Sequence, residues 1–148
     1  MSLPPPAARL RAAGLKVTRG RTAALAALDA EPHATAEALQ RRIVGSGVPM
    51  TLQAVYLALQ VLTEAGLLRR IEPAGSAARY EPRVGDDHHH LVCSSCSRVV
   101  DVDCAPGAAP CSEPADTHGF SVVRTEITYW GVCPDCAMAQ DRKEEGAV

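Results

Sequence analysis

The chain has 148 residues, 47% hydrophobic and 22% charged, with a formal net charge of −2 at pH 7. That describes one ordinary globular chain, with room for two small lobes but not for two large independent cores. No apolar run is long enough to cross a bilayer, and MSLPPPAARLR lacks the apolar region and cleavage pattern of a signal peptide, so a cytoplasmic protein with no membrane partner is expected.

Six cysteines in a reducing compartment point to metal or redox groups rather than to a disulfide framework. Charge is divided unevenly: residues 1–86 carry 11 Lys or Arg against 7 Asp or Glu, whereas residues 87–148 carry 4 against 10. A basic half followed by an acidic, Cys- and His-rich half predicts a nucleic-acid-facing lobe and a metal-holding lobe.

In chain order, PPPAARLRAAG opens with prolines suited to a helix start and stops at Gly14. TRGRTAALAALDAEP predicts a helix capped by Thr18 and ended at Pro32, and TAEALQRRIVGSGVP one capped by Thr35. TLQAVYLALQVLTEAG predicts a fourth helix, with Leu52, Val55, Leu59 and Leu62 as a buried stripe and Gln53, Tyr56 and Gln60 on another face. After Gly66 the pattern becomes strand-like: LLRRIE, the turn PAGS and AARYE predict a hairpin. Short helices closed by a hairpin are the outline of a winged helix-turn-helix. The expected layout is a first domain over 1–82, a hinge at 83–87, a second, β-rich domain over 88–136 and a flexible polar tail over 137–148.

Two CxxC knuckles, Cys93/Cys96 and Cys133/Cys136, carry the clearest chemistry. Four thiolates at this spacing suit tetrahedral Zn²⁺, and a fully occupied Cys₄ set leaves no position for catalysis, so the zinc is expected to be structural. Redox-active CxxC pairs are the competing explanation, but no βαβ pattern surrounds either pair. The triplet His88–His90 lies just upstream; on a strand, His88 and His90 share one face and His89 takes the other. His33, Glu81 and Asp101 complete a set of imidazoles and carboxylates of the kind that binds Fe²⁺, Mn²⁺, Zn²⁺ or Ni²⁺. The residues by themselves leave open whether these five meet, because His triplets are also ordinary polar surface.

GLKVTRGR, PHATAEAL, AVYLAL, AGLLRRI, ARYE, HHHLVCSSC, RVVDVD, HGF and YWGVCPDC occur in the order seen in the ferric uptake regulator family, which the chain resembles over nearly its whole length. The resemblance implies an α+β protein: an N-terminal winged helix-turn-helix DNA-binding domain followed by a small α/β dimerisation domain with structural zinc. It implies a homodimeric repressor that binds palindromic double-stranded operator DNA when metal is present. The family's structural zinc ligands fall on Cys93, Cys96, Cys133 and Cys136, and its regulatory metal ligands on His33, Glu81, His88, His90 and Asp101. Fe²⁺ or Mn²⁺ is the expected regulatory ion, with Zn²⁺ or Ni²⁺ as alternatives.

On the DNA side the resemblance places Tyr56 on the recognition helix, with Lys16 and Arg19 near the backbone or minor groove. Helical phase adds Gln53 as an amide that reaches a base edge. Leu57 stands where many relatives have Arg. Asp101 is the residue found in the peroxide-responsive branch, which implies iron-catalysed oxidation of His33 and His88 with release of DNA; Glu81, where the best-known peroxide sensors have Asp, implies instead a metal-status repressor. A further family metal site falls on Asp87, His89, Ala108 and Thr125, of which only the first two can ligate, so that site is expected to be absent or much altered, with His118 the one alternative donor. Cys104 and Cys111 stand outside the zinc set. A zinc hydrolase built on His88 and His90 has no HExxH or comparable motif in its favour, so a non-enzymatic regulator is expected.

Overall fold

Threonines set the starts of the main helices. After α1 (Pro6–Ala12), the helices α2 (Arg19–Ala30), α3 (Ala36–Gly45) and α4 (Leu52–Glu64) follow Thr18, Thr35 and Thr51. Each threonine hydroxyl accepts from the backbone N–H three residues on, Arg21, Ala38 and Ala54, at 3.2, 3.3 and 3.1 Å. These bonds satisfy donors that a helix start otherwise leaves unpaired. The end of α4 is closed by Gly66 at φ +71°, where an L side chain is strained. There Leu67 N–H reaches back to the Leu62 carbonyl at 2.9 Å and Gly66 N–H to Thr63 at 3.0 Å, a Schellman closure.

The computed structural model describes residues 3–86, 88–103 and 114–145. The chain divides into two compact units, Met1–Gly85 and Asp86–Val148. In the first, the predicted stripe of α4 is confirmed: Val55, Leu59 and Leu62 are wholly buried, with Leu52 packed at the edge. They meet Leu10, Leu25, Leu28, Leu39 and Ile43 from the other helices in one cluster. Each such side chain removed from water stabilises the unit by about 1.5–3 kcal/mol.

The predicted hairpin is β2 (Arg69–Ile71) and β3 (Arg79–Glu81), antiparallel with Arg70 opposite Tyr80. A third strand, β1 (Ala34–Thr35), pairs with the other edge of β3, giving the order β1-β3-β2. Two residues are too few to leave a period-2 signal, so only the tertiary pairing reveals this strand.

In the second unit, β4 (His89–Cys93) pairs antiparallel with β5 (Val99–Val102) and parallel with β6 (Thr128–Gly131). The register sets His90 opposite Asp101 and Leu91 opposite Val100 and Tyr129. Where a flexible tail is expected over 137–148, residues up to Glu145 belong instead to α5 (Pro134–Glu145), and 146–148 lie outside the described residues. Pro134 opens this helix and Asp135 lies in its first turn, a proline and a negative charge both being favourable at a helix start. No helix among the described residues is long and apolar enough to cross a membrane.

Candidate metal centres and recognition helix

The four knuckle cysteines converge. Cys93 closes β4, Cys96 sits in the turn after it, Cys133 follows β6 and Cys136 lies in the first turn of α5. Their sulfurs all lie within 4.8 Å of one another, and Cys96 Sγ and Cys133 Sγ are 3.8 Å apart. A tetrahedron of about 2.3 Å Zn–S bonds has sulfur–sulfur edges of about 3.8 Å, so the donor set fits zinc. Ser94 holds the first knuckle to β6, its N–H and hydroxyl donating to the Gly131 carbonyl at 2.8 and 3.0 Å.

The thiols are electrostatically unequal. The backbone N–H of Cys133, 3.3 Å from Cys93 Sγ, and then that of Cys96 lower the Cys93 pKa to about 6. At Cys136 the Ser95 hydroxyl favours the thiolate, but crowding by Cys133, Cys96 and Cys93 prevails and raises its pKa to about 12. A cation shared by the four sulfurs would allow all of them to be thiolates together.

Within the first unit, His33 Nε2 lies 2.9 Å from Glu81 Oε2. The pair is created by β1: His33 N–H donates to the Tyr80 carbonyl at 2.9 Å, bringing the residue before β1 alongside the end of β3. His33 is held at φ +64°, which is uncommon for a non-glycine residue, and Arg79 Nη1 fixes its carbonyl at 3.0 Å. Glu81 is wholly buried.

Within the second unit, His88, His90 and Asp101 converge. His88 Nδ1 contacts Asp86 Oδ1 at 2.7 Å, which turns Nε2 toward Asp101. The Nε2 atoms of His88 and His90 both lie 3.6 Å from Asp101 Oδ1. A carboxylate on one ring nitrogen and the other aimed at a donor cluster is the way proteins orient ligating histidines. His89 is buried with its ring edge-on to Tyr129, 6.1 Å between centroids. His118 is exposed and pairs with Asp116, its N–H donating at 2.8 Å. Asp87, Cys104, Ala108 and Cys111 lie outside the described residues.

On α4, Gln53, Tyr56 and Gln60 line, with Leu57, Arg70 and Tyr80, a groove of about 400 Å³ between the helix and the hairpin. Tyr56 donates its hydroxyl to Glu37 Oε1 on α3 at 2.8 Å, a contact that raises the tyrosine pKa and lowers that of Glu37. Lys16 and Arg19 are exposed at the approach to α2, with Arg19 donating to the Gly47 carbonyl at 3.0 Å. The sequence pattern alone missed Glu37, Arg69 and Arg79, because their partners lie on other elements.

Residues 12–130 match the family model described as ferric uptake regulator family. The chain belongs to the ferric uptake regulator family. It is 50% identical over 138 residues to the transcriptional regulator FurA of Mycobacterium tuberculosis, covering 93% of this chain and 94% of that one. The Vibrio cholerae ferric uptake regulator, described with its DNA-binding domains rearranged, is 26% identical with a TM-score of 0.64, covering 85% of this chain and 98% of that one. The Pseudomonas aeruginosa ferric uptake regulator with manganese is also 26% identical, with a TM-score of 0.62 over 86% of this chain and 96% of that one. As a ferric uptake regulator family member, the chain is a transcriptional regulator and not an enzyme.

Proposed function

We propose that the protein is a homodimeric, metal-dependent repressor of palindromic operator DNA whose regulatory metal is held by His33, Glu81, His88, His90 and Asp101. The observation that carries this reading is chemical segregation: one closed all-thiolate set, and separate imidazole and carboxylate donors drawn from both units. The thiolates select structural Zn²⁺, whereas the mixed nitrogen and oxygen donors suit Fe²⁺ or Mn²⁺, with Zn²⁺ or Ni²⁺ as alternatives. A ligand set drawn from both units lets metal favour one arrangement of the DNA-binding unit by differential affinity.

DNA is read by Gln53 and Tyr56 from the exposed face of α4, with Lys16 and Arg19 on phosphate or the minor groove. The homodimer uses the sheet of the second unit: Leu91, Val100 and Tyr129, aligned across three strands, are each more than two-fifths exposed, a row that a second copy would cover. With the metal in use inside the cell, the expected location is the cytoplasm.

Asp101 further supports release of DNA by peroxide. Fe²⁺ held by these residues would catalyse the reaction of peroxide with the ligand imidazoles, returning to Fe²⁺ at the end, which Mn²⁺ would not do under the same conditions. His33 and His88 are the proposed targets: each imidazole would give two electrons to one peroxide, one peroxide oxygen replacing a ring C–H hydrogen and the other leaving as water. Glu81 favours the second reading, a metal-status repressor without peroxide sensing. Anaerobic fluorescence anisotropy on the upstream DNA decides between them. Loss of DNA after low peroxide with Fe²⁺ but not Mn²⁺, with oxygen added at His33 and His88, establishes peroxide sensing. Retention with both metals leaves the metal-status repressor, and no metal-dependent binding with any of the four ions rejects both.

A further inference from the structure

Two wing arginines surround the His33–Glu81 pair without belonging to any ligand motif. Arg79 holds the His33 carbonyl, as described above. Arg69 stands directly opposite Glu81 in the β2–β3 register, and its Nη1 lies 3.8 Å from Glu81 Oε1. The Arg69 side chain is 11% exposed and that of Glu81 1%. Nη1 itself is buried and makes no hydrogen bond among the described residues.

At 3.8 Å the contact is an ion pair but not a hydrogen bond, so it acts through charge rather than through a locked fork. A buried carboxylate needs a positive neighbour, since an isolated one is too costly to desolvate. A divalent ion can supply that charge, but so can a guanidinium, and both cannot be beside Glu81 without repelling each other. We propose that Arg69 is the resident cation of Glu81: it neutralises the carboxylate while regulatory metal is absent and opposes an incoming dication, thereby raising the metal concentration at which the site fills.

This proposal rests on reading His33 and Glu81 as regulatory ligands, and the test separates the two. Mn²⁺ binding to the zinc-loaded full-length protein is read from the electron paramagnetic resonance signal of free Mn²⁺, for the parent, Arg69→Met, Arg69→Lys and His33→Ala. Arg69→Met keeps the apolar stem and removes the charge; it is expected to bind Mn²⁺ about tenfold tighter or more. Arg69→Lys is expected to stay within about threefold of the parent.

A merely structural arginine predicts the opposite sign, weaker binding from a loosened site. Unchanged or weaker binding by Arg69→Met, while His33→Ala loses Mn²⁺, overturns the role of Arg69 and leaves the ligand set standing. Parent-like binding by His33→Ala overturns the ligand set itself. If Arg69→Met fails to fold by circular dichroism, Arg69→Gln replaces it; failure of both makes Arg69 a folding requirement and overturns the proposal.

Discussion

The two units are held together by different physics. The first has a continuous apolar cluster of wholly buried leucines contributed by four helices. Among the described residues of the second, the buried apolar side chains are Val92, Cys93 and Val99, and one of these belongs to the four-cysteine cluster that fits zinc. Where so few of the described side chains are buried, metal held by the four cysteines would contribute folding energy. The difference teaches that one chain can gather its apolar side chains in one segment and its thiols in the next, which under the proposed function divides stability between apolar packing and thiolate coordination and leaves the imidazoles and carboxylates for a reversible metal.

The largest expected effect breaks that comparison at the zinc site. Cys96→Ser, or zinc removal by a strong chelator, is expected to unfold the second unit and abolish dimers while the helices of the first persist; structural zinc is worth about 10–16 kcal/mol in zinc-finger peptides. Circular dichroism with sedimentation velocity checks this, and a dimer that survives without zinc would show that the second unit has a sufficient core of its own. In the first unit, Leu59→Ala is expected to cost about 2–5 kcal/mol of unfolding free energy with zinc content unchanged. Denaturant titration beside zinc analysis tests it: zinc lost in step with helix would mean that the units do not separate energetically.

His33→Ala sharpens the contrast between structural and regulatory metal. A zinc-bound dimer with weakened metal-dependent operator binding is expected, visible by anisotropy, whereas loss of zinc would contradict the segregation of donor sets. Thr51→Ala removes the cap of α4 and should lower stability by about 1 kcal/mol with no change in metal content, measured by thermal unfolding.

Much of this was legible in the chain. Thr18, Thr35 and Thr51 announce their helices because a cap acts on a donor three residues away, within reach of a local pattern. The CxxC spacings likewise declare a metal site, since two ligands of each pair are close whatever the fold. The helix over Pro134–Glu145 departs from the tail expected over 137–148, because its polar composition hides the start signalled by Pro134 and Asp135. The two-residue β1 escaped notice altogether, although it is what brings His33 to Glu81.

Sequence by itself therefore determined the helical lobe, the hairpin, the pairing of cysteines in CxxC knuckles and the family, because each is encoded by short-range spacing or by motifs in order. Only the tertiary structure decided that His33 adopts φ +64° against Glu81, that His88 and His90 aim at one oxygen of Asp101, and that Arg69 lies across from Glu81. Those contacts join residues separated by up to 48 positions, and strand register, which no local pattern carries, is what brings them into reach.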